Sequence, residues 1–311
     1  MQTPTPTALM ISNHNVEIQL HHIGPSDGPS IVLLHGLRDT SWSLLGLAQT
    51  LAERGFFVVF PDLRGHGQSQ HSDGYALPNF LSDLHAVQQW LHQHNATQTF
   101  SLFGHSLGGH IVCKFAALFP EVVNALMIVE GLGPPTRASK DDDAADIVHY
   151  RQMLEARQFA KNRTSKPMPD LAYASNRLRQ GNPRLSEESA KFLATKLTQP
   201  DPAGLRWNFD SKAQTVFIGA HQDTDAKFWR QVQAPTLVIS GALSHQYWGQ
   251  MMPDGSSGHF AEGEIESRVA QFCNAQHRWF EHSGHMVHYD EPERLNSAAL
   301  EFFSQHNPMS A

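Results

Sequence analysis

The chain has 311 residues, enough for one large core carrying an insertion or for two domains. A formal charge of −7, with 40% hydrophobic and 17% charged residues, is ordinary for a globular protein and argues against nucleic acid or an anionic membrane surface as the main partner. Two cysteines, Cys113 and Cys273, cannot make a disulfide scaffold, no run reaches transmembrane length, and the N-terminus lacks the basic start and apolar run of a signal peptide, so a soluble cytoplasmic protein is expected.

Residues 16–20 alternate polar and apolar like a partly exposed strand. After a Gly/Pro turn, residues 31–34 form a fully apolar run that fits a buried parallel strand and ends in His35-Gly36-Leu37-Arg38-Asp39. Leu44, Leu45, Ala48 and Leu51 mark a helix closed by Gly55, and residues 56–60 form the next strand, followed by Pro61-Asp62-Leu63-Arg64-Gly65-His66-Gly67-Gln68-Ser69. Phe80, Leu84, Val87, Trp90 and Leu91 then make a helical stripe. A strand runs from Thr99 into Gly104-His105-Ser106-Leu107-Gly108-Gly109, and a helical pattern continues to Phe119. The strand at 125–129 stops at Glu130-Gly131. Beyond it, helices are expected at 141–163, 171–180 and 186–197, separated by prolines, before the sheet pattern resumes at 235–241. A helix at 262–273, a last strand at 277–281 and a closing helix at 292–303 complete the chain.

Strands alternating with helices predict an α/β fold with a mostly parallel, doubly wound sheet whose sites lie beyond the C-terminal ends of the strands. The helical block between two core strands reads as a cap, because both its ends return to the same sheet. The expected division is residues 1–133 and 233–311 for the core and 134–232 for the inserted helical cap.

Gly104 and Gly108 leave room for a sharp strand-to-helix turn with Ser106 at its apex, at the positive end of a helix. A serine so placed is a candidate nucleophile, and His285, after the last strand, is its candidate base. The histidine needs an acceptor to set its tautomer. The loop after the strand at 237–240 contains no carboxylate before Asp254, whereas Glu130 ends an apolar run at the same rim. Glu130 is therefore the expected acid, with Ser244 in the place an acid would otherwise take. The backbone N–H groups of Leu37 and Leu107 are the expected oxyanion donors, and Gly36 permits the close approach.

Other residues are candidates for the pocket. Trp42, Arg38 and Asp39 are candidates to shape it or to brace its loop. His105 is either a support beside the nucleophile or a pocket wall. Phe228 and Trp229 line the pocket or pack cap to core, and Tyr247, Trp248, Met251 and Met252 form an apolar rim or plain core. Asp62, Arg64 and His66 are expected to lock their glycine-rich turn by local hydrogen bonds. Of the 20 histidines, His21, His22, His92 and His94 read as surface residues. His282, His285 and His288 are spaced like metal ligands, but a flexible-looking turn without a cysteine cluster argues against zinc.

The His35-Gly36 motif, the Asp62–Ser69 segment, the Gly104–Gly108 turn, residues 235–241 and Gly284-His285 together resemble the α/β-hydrolase fold superfamily across nearly the whole chain. Val129-Glu130-Gly131-Leu132-Gly133-Pro134-Pro135, Asn182-Pro183-Arg184-Leu185-Ser186 and Leu205-Arg206-Trp207-Asn208-Phe209-Asp210 resemble the serine-hydrolase-like group within it. The position of Glu130 also resembles the acid of one class of haloalkane dehalogenases. Those enzymes and the epoxide hydrolases attack with an aspartate where this chain has Ser106, so neither activity carries over. The resemblance implies two-step acyl transfer on a small or medium carboxylic ester, with no metal or organic cofactor. The expected partner is that small-molecule ester, and the expected assembly a monomer or homodimer. The same triad acting on a carbon–carbon bond, thioester or lactone, or in perhydrolysis, is the first alternative; an acid product there calls for a fixed cation, for which Arg38, Arg151, Arg157 and Arg177 are candidates. A non-catalytic ligand-binding homologue is the second.

Overall fold

Residues 31–34 are apolar on both sides of the strand because helices cover both faces of the sheet they enter. The structure, a computed structural model, describes residues 4–95, 98–136, 151, 154, 155, 158, 166–217, 222–251 and 257–307. The strands are β1 (Thr7–Asn13), β2 (Val16–Ile23), β3 (Ser30–Leu34), β4 (Phe57–Pro61), β5 (Phe100–His105), β6 (Val123–Val129), β7 (Thr198–Asp201), β8 (Gly204–Trp207), β9 (Thr236–Gly241) and β10 (Ala275–Phe280). Eight of them form one sheet in the order β1-β2-β4-β3-β5-β6-β9-β10. The β1–β2 and β2–β4 pairs are antiparallel and the remaining pairs parallel, which is the mostly parallel α/β sheet that the alternation predicts.

Side chains alternate across each strand and feed two cores. Val32, Leu34, Val59, Leu102 and Ile128 pack under α2 (Leu77–His94) and α3 (Leu107–Leu118). Ile31, Leu33, Val58, Phe103 and Met127 face the opposite way, toward α1 (Leu45–Ala52) and the closing helix Pro292–His306. Each fully buried Leu or Ile in these layers contributes roughly 1.5–3 kcal/mol.

Between β6 and β9 the chain leaves the sheet and builds a cap. Its helices α4 (Leu171–Gly181) and α5 (Glu187–Leu197) begin where side chains accept orphan N–H groups: Asp170 from Tyr173 N and Ser186 from Ser189 N. Leu185, Ala190, Leu193 and Leu197 make a small core of their own, which also takes in Tyr289 from the sheet side. Of the helix expected at 141–163, residues 151, 154, 155 and 158 are helical, and the rest lies outside the described residues. The cap is also not wholly helical. Where only proline breaks were expected, β7 and β8 form a hairpin, closed by Gly204 at φ 129 with its backbone against Met168 O.

Three further expectations change. Strand β1 lies in the Thr/Pro-rich start, paired along β2 with little buried surface, so no strong apolar pattern marks it. The helix expected at 262–273 is confined to Glu264–Val269, because the chain turns there to bring Phe272 against Trp229 and then enters β10. His21 is buried, hydrogen-bonded to Ser41 Oγ at 3.1 Å, and not a surface residue. Cys113 is buried and its thiol is pushed up to about 12 by burial, while Cys273 is exposed; both are free. No helix among the described residues is long and apolar enough to cross a membrane.

The helix α6 (Gln222–Trp229) returns the chain from cap to core, and it docks on α3 through a buried ion pair between Asp225 and Lys114. Removing one partner leaves an unpaired buried charge, so Asp225→Asn is expected to cost about 3–5 kcal/mol in urea unfolding. The double variant Lys114→Met/Asp225→Leu is expected to lose much less, because it removes both charges together.

Candidate active site

Strand β5 turns into α3 at Ser106, whose backbone (φ 50, ψ −114) lies outside the regions L-residues prefer. The turn closes because two glycines let backbone pack on backbone. A Cβ on Gly104 would meet Gly108 O at 2.3 Å, and one on Gly108 would meet Leu34 O at 2.3 Å. Ser106 N donates to Val129 O at 2.9 Å, which ties the apex to the neighbouring strand end.

The loop after β10 carries His285 to this apex, with Nε2 2.9 Å from Ser106 Oγ and Nδ1 3.0 Å from Glu130 Oε2. A carboxylate only accepts, so the histidine proton belongs on Nδ1, leaving the Nε2 lone pair for the serine hydroxyl. The His285 and Glu130 side chains are 2% and 4% exposed, dry enough that their mutual field is weakly screened. Glu130 has φ 52 and is held by both ends: its N donates to Ile239 O at 2.9 Å, and Oε1 accepts from Gly241 N at 2.7 Å. The loop after β9 therefore meets the acid through its backbone. Ser244, in that loop, is buried and its hydroxyl has no partner among the described residues; Asp254 lies outside them.

Leu107 is the first residue of α3, so its N–H has no acceptor within its own helix. Leu37 follows Gly36, where a Cβ would stand 3.3 Å from Ser106 Cβ. The loop beyond is held from outside. Arg38 N donates to His66 Nε2 at 3.0 Å, and Leu63 N to His35 Nε2 at 2.9 Å. Burial lowers the His66 pKa to about 3, keeping that acceptor nitrogen bare. The Asp62–Ser69 turn is locked locally, as expected, with Asp62 Oδ2 accepting from Gln68 N at 2.9 Å, Ser69 Oγ donating to Asp62 O at 2.6 Å and His66 Nδ1 donating to Arg64 O at 3.0 Å, and it is also tied across the fold. Asp62 Oδ1 accepts from Thr40 Oγ1, Ser41 N and Ser41 Oγ, each at 2.8 Å, and Arg64 forks onto Asp83 of α2 at 2.6 Å.

Among the expected pocket residues, His105 is not a wall. It is 1% exposed and sits behind His285, Nε2 donating to His285 O at 2.8 Å, with burial holding its pKa well below the usual histidine value. Trp229 is in the core and Phe228 lies over the Lys114 ammonium, 5.3 Å from ring centre. Trp42 packs on His21 and lines an outer cleft with Phe192, Leu193, His288 and Tyr289. Arg38 is exposed beside Leu37. Arg151 and Arg177 are exposed in the cap, and Arg157 is not described. Tyr247 and Trp248, on a short helix His245–Met251, enclose His285: the Tyr247 ring stacks on the imidazole at 4.0 Å and 6°, and Trp248 meets it edge-on at 5.1 Å. Met251 is exposed and Met252 lies outside the described residues.

Residues 283–288 are mostly buried, not the flexible turn expected. His288 Nε2 lies 3.2 Å from Asp39 Oδ2, and Tyr289 OH donates to Asp39 Oδ1 at 2.8 Å. Burial alone would raise the Asp39 carboxyl; the hydrogen bonds from His288 and Tyr289 hold it well below the usual range. Asp39, His105 and His288 are the described residues grouped closely enough to hold a metal ion.

A family model described as alpha/beta hydrolase fold matches residues 29–292. The serine hydrolase-like protein of Danio rerio is 27% identical over 295 residues, covering 92% of this chain and 84% of that one. Serine hydrolase-like protein 2 of Homo sapiens is 27% identical over 307 residues, 94% of each. The solved thioesterase domain from the curacin biosynthetic pathway has a TM-score of 0.78 at 26% identity, covering 96% of this chain and 99% of that one.

Sequence reasoning missed Asp290, whose side chain is fully buried and joins cap to histidine loop. It accepts from Gly284 N, Asn182 Nδ2 and Arg184 Nε, each at 2.8 Å. Arg184 also lies on Gly284, where a Cβ would meet its Nη2 at 2.4 Å. The Asn182-Pro183-Arg184 segment was visible in the sequence; its partner, 106 residues later, was not. Arg184→Met is expected to lower stability by about 1–3 kcal/mol in urea unfolding. Stability should also fall in acid. His66 binds its proton at about 3 in the fold and at 6.5 when unfolded, so its contribution is complete above 6.5 and is lost as pH drops toward 3. Urea unfolding between pH 7 and 4 should show a slope of up to about 1.4 kcal/mol per unit from this one group, removed in His66→Gln.

Proposed function

The chain belongs to the α/β-hydrolase fold family, and from that membership and the geometry of the strand ends we propose that it is a serine hydrolase of small or medium carboxylic esters. The observation that carries this reading is the unbroken hydrogen-bonded line from Ser106 Oγ through His285 to Glu130. In the first step Ser106 Oγ attacks the ester carbonyl while His285 Nε2 takes its proton. Glu130 stabilises the imidazolium, and the developing oxyanion lies against the Leu37 and Leu107 N–H groups. Collapse expels the alcohol, which takes the proton from His285, and leaves an acyl-serine. Water then attacks the acyl carbonyl, giving its proton to His285, and Ser106 recovers a proton as the acid departs.

No step calls for a metal or organic cofactor. The same reading includes a cytoplasmic monomer or homodimer acting on a small molecule and not on nucleic acid, supported by two free cysteines and a charge of −7. It also includes a cap of residues 134–232 over core parts 1–133 and 233–311. A thioester is the second reading, favoured by the similarity to the curacin thioesterase domain. Both bonds present an acyl carbonyl to the same serine.

Turnover of p-nitrophenyl esters and acyl thioesters of graded chain length tests the proposal. Ser106→Ala is expected to abolish it, and a serine-reactive phosphonate should label the wild type at Ser106 alone. Glu130→Gln should lower kcat by about a hundredfold or more, since the amide favours the wrong imidazole tautomer. A Glu130→Gln enzyme running at near-native rate rules out Glu130 as the acid.

A further inference from the structure

Five non-glycine residues among those described have positive φ: His14, Asn15, Arg38, Ser106 and Glu130. His14 and Asn15 turn the chain between β1 and β2, and Ser106 and Glu130 belong to the proposed triad. Arg38 is the remaining one, at φ 62, directly after the Leu37 amide assigned to the oxyanion. Such a conformation persists at a non-glycine residue only where the surroundings over-determine it. They do so here from both sides. The Arg38 N–H is caught by His66 Nε2 at 3.0 Å, and the next residue, Asp39, is buried on His288 and Tyr289.

The backbone so pinned leaves the side chain exposed at the rim of the site. The Arg38 guanidinium lies beside the Tyr247 phenol, where its charge opposes the rise in pKa that burial gives that group. Tyr247 in turn stacks on the His285 imidazole at 4.0 Å. A permanent positive charge therefore stands one residue from an oxyanion donor and one ring from the base. Among the described residues no carboxylate forms an ion pair with it; adjacent Asp39 is paired inward with His288. A guanidinium fork in that position matches a carboxylate, which it can bind through two parallel N–H···O bonds.

We infer that Arg38 forms an anion subsite and that the substrate is an ester bearing a carboxylate a few bonds from the scissile carbonyl. The inference rests on the ester-hydrolase reading above. Because the guanidinium is exposed, water and salt screen it, and the selectivity expected is about tenfold, well short of a buried pair.

Two matched pairs of substrates test it, with Ser106→Ala as blank. In one the charge is on the acyl side, p-nitrophenyl hydrogen glutarate against p-nitrophenyl pentanoate. In the other it is on the alcohol side, para-acetoxybenzoate against its methyl ester. The quantity read is the ratio of kcat/KM within each pair, which cancels any loss of folded enzyme in a variant. The wild type should favour the charged member of one pair about tenfold, less at high salt. Arg38→Met should bring that ratio close to one, and Arg38→Lys should keep part of it. The pair that responds tells which half of the ester carries the anion. A wild-type ratio near one in both pairs, or a ratio unchanged in Arg38→Met, overturns the inference. Should no ester be turned over in a Ser106-dependent way, the ester reading itself fails. Titration calorimetry of glutarate into Ser106→Ala then decides on the subsite separately: binding lost in Ser106→Ala/Arg38→Met supports it, and no binding refutes it.

Discussion

Glu130 holds the three loops of the site together. Its carboxylate takes one hydrogen bond from the Gly241 amide at 2.7 Å and faces His285 Nδ1 at 3.0 Å, while its own amide is bonded to Ile239 O. A single side chain thus joins the ends of β6 and β9 to a loop 155 residues further on. Both oxygens are engaged in a dry environment, where a hydrogen bond to a charged group is strong and a missing one costly. The φ of 52 at this residue is the backbone strain that aims the side chain across the strand ends, and the short, direct bonds on either side offset it.

A second layer of buried polar groups stands behind the first. His105, His288, Asp39 and Tyr289 support His285 from beneath through its carbonyl and the turn that follows, and Asp290 anchors the preceding Gly284 to the cap. Tyr247 and Trp248 close over the imidazole from the other side. The histidine ring is therefore stacked against Tyr247, met edge-on by Trp248 and bonded at its two nitrogens to Glu130 and Ser106. Burial keeps His105 neutral, so it acts as a fixed hydrogen-bonding post and adds no positive charge beside His285. The cap is part of this layer: Arg184 and Asn182 reach down to Asp290, and Tyr289 reaches up into the small core of the cap.

The strands of the sheet were legible because helices cover them on both faces, and a run such as 31–34 then has no polar position to confuse it with a surface strand. Strand β1 was not, because it is an edge strand whose stability comes from pairing with β2 and not from an apolar pattern of its own. The cap hairpin was hidden for a related reason: four-residue strands with prolines between them carry no periodicity. Within the site, glycine spacing announced Ser106, since only a sharp turn with backbone-to-backbone contact requires it. Surroundings were harder to read. His105 and Trp229 look like wall residues by position in the chain, yet they are buried by packing partners far away in sequence.

The order of apolar runs, the glycine-flanked serine and the carboxylate ending a buried strand were determined by the sequence alone, because local sterics and burial of apolar surface act over a few residues at a time. The tertiary structure alone decided which ring stands behind His285, which acid joins the cap to its loop, and where the charge of Arg38 comes to rest. Those outcomes depend on contacts between residues a hundred or more positions apart, and nothing in the local pattern distinguishes a polar side chain that will meet such a partner from one left in water.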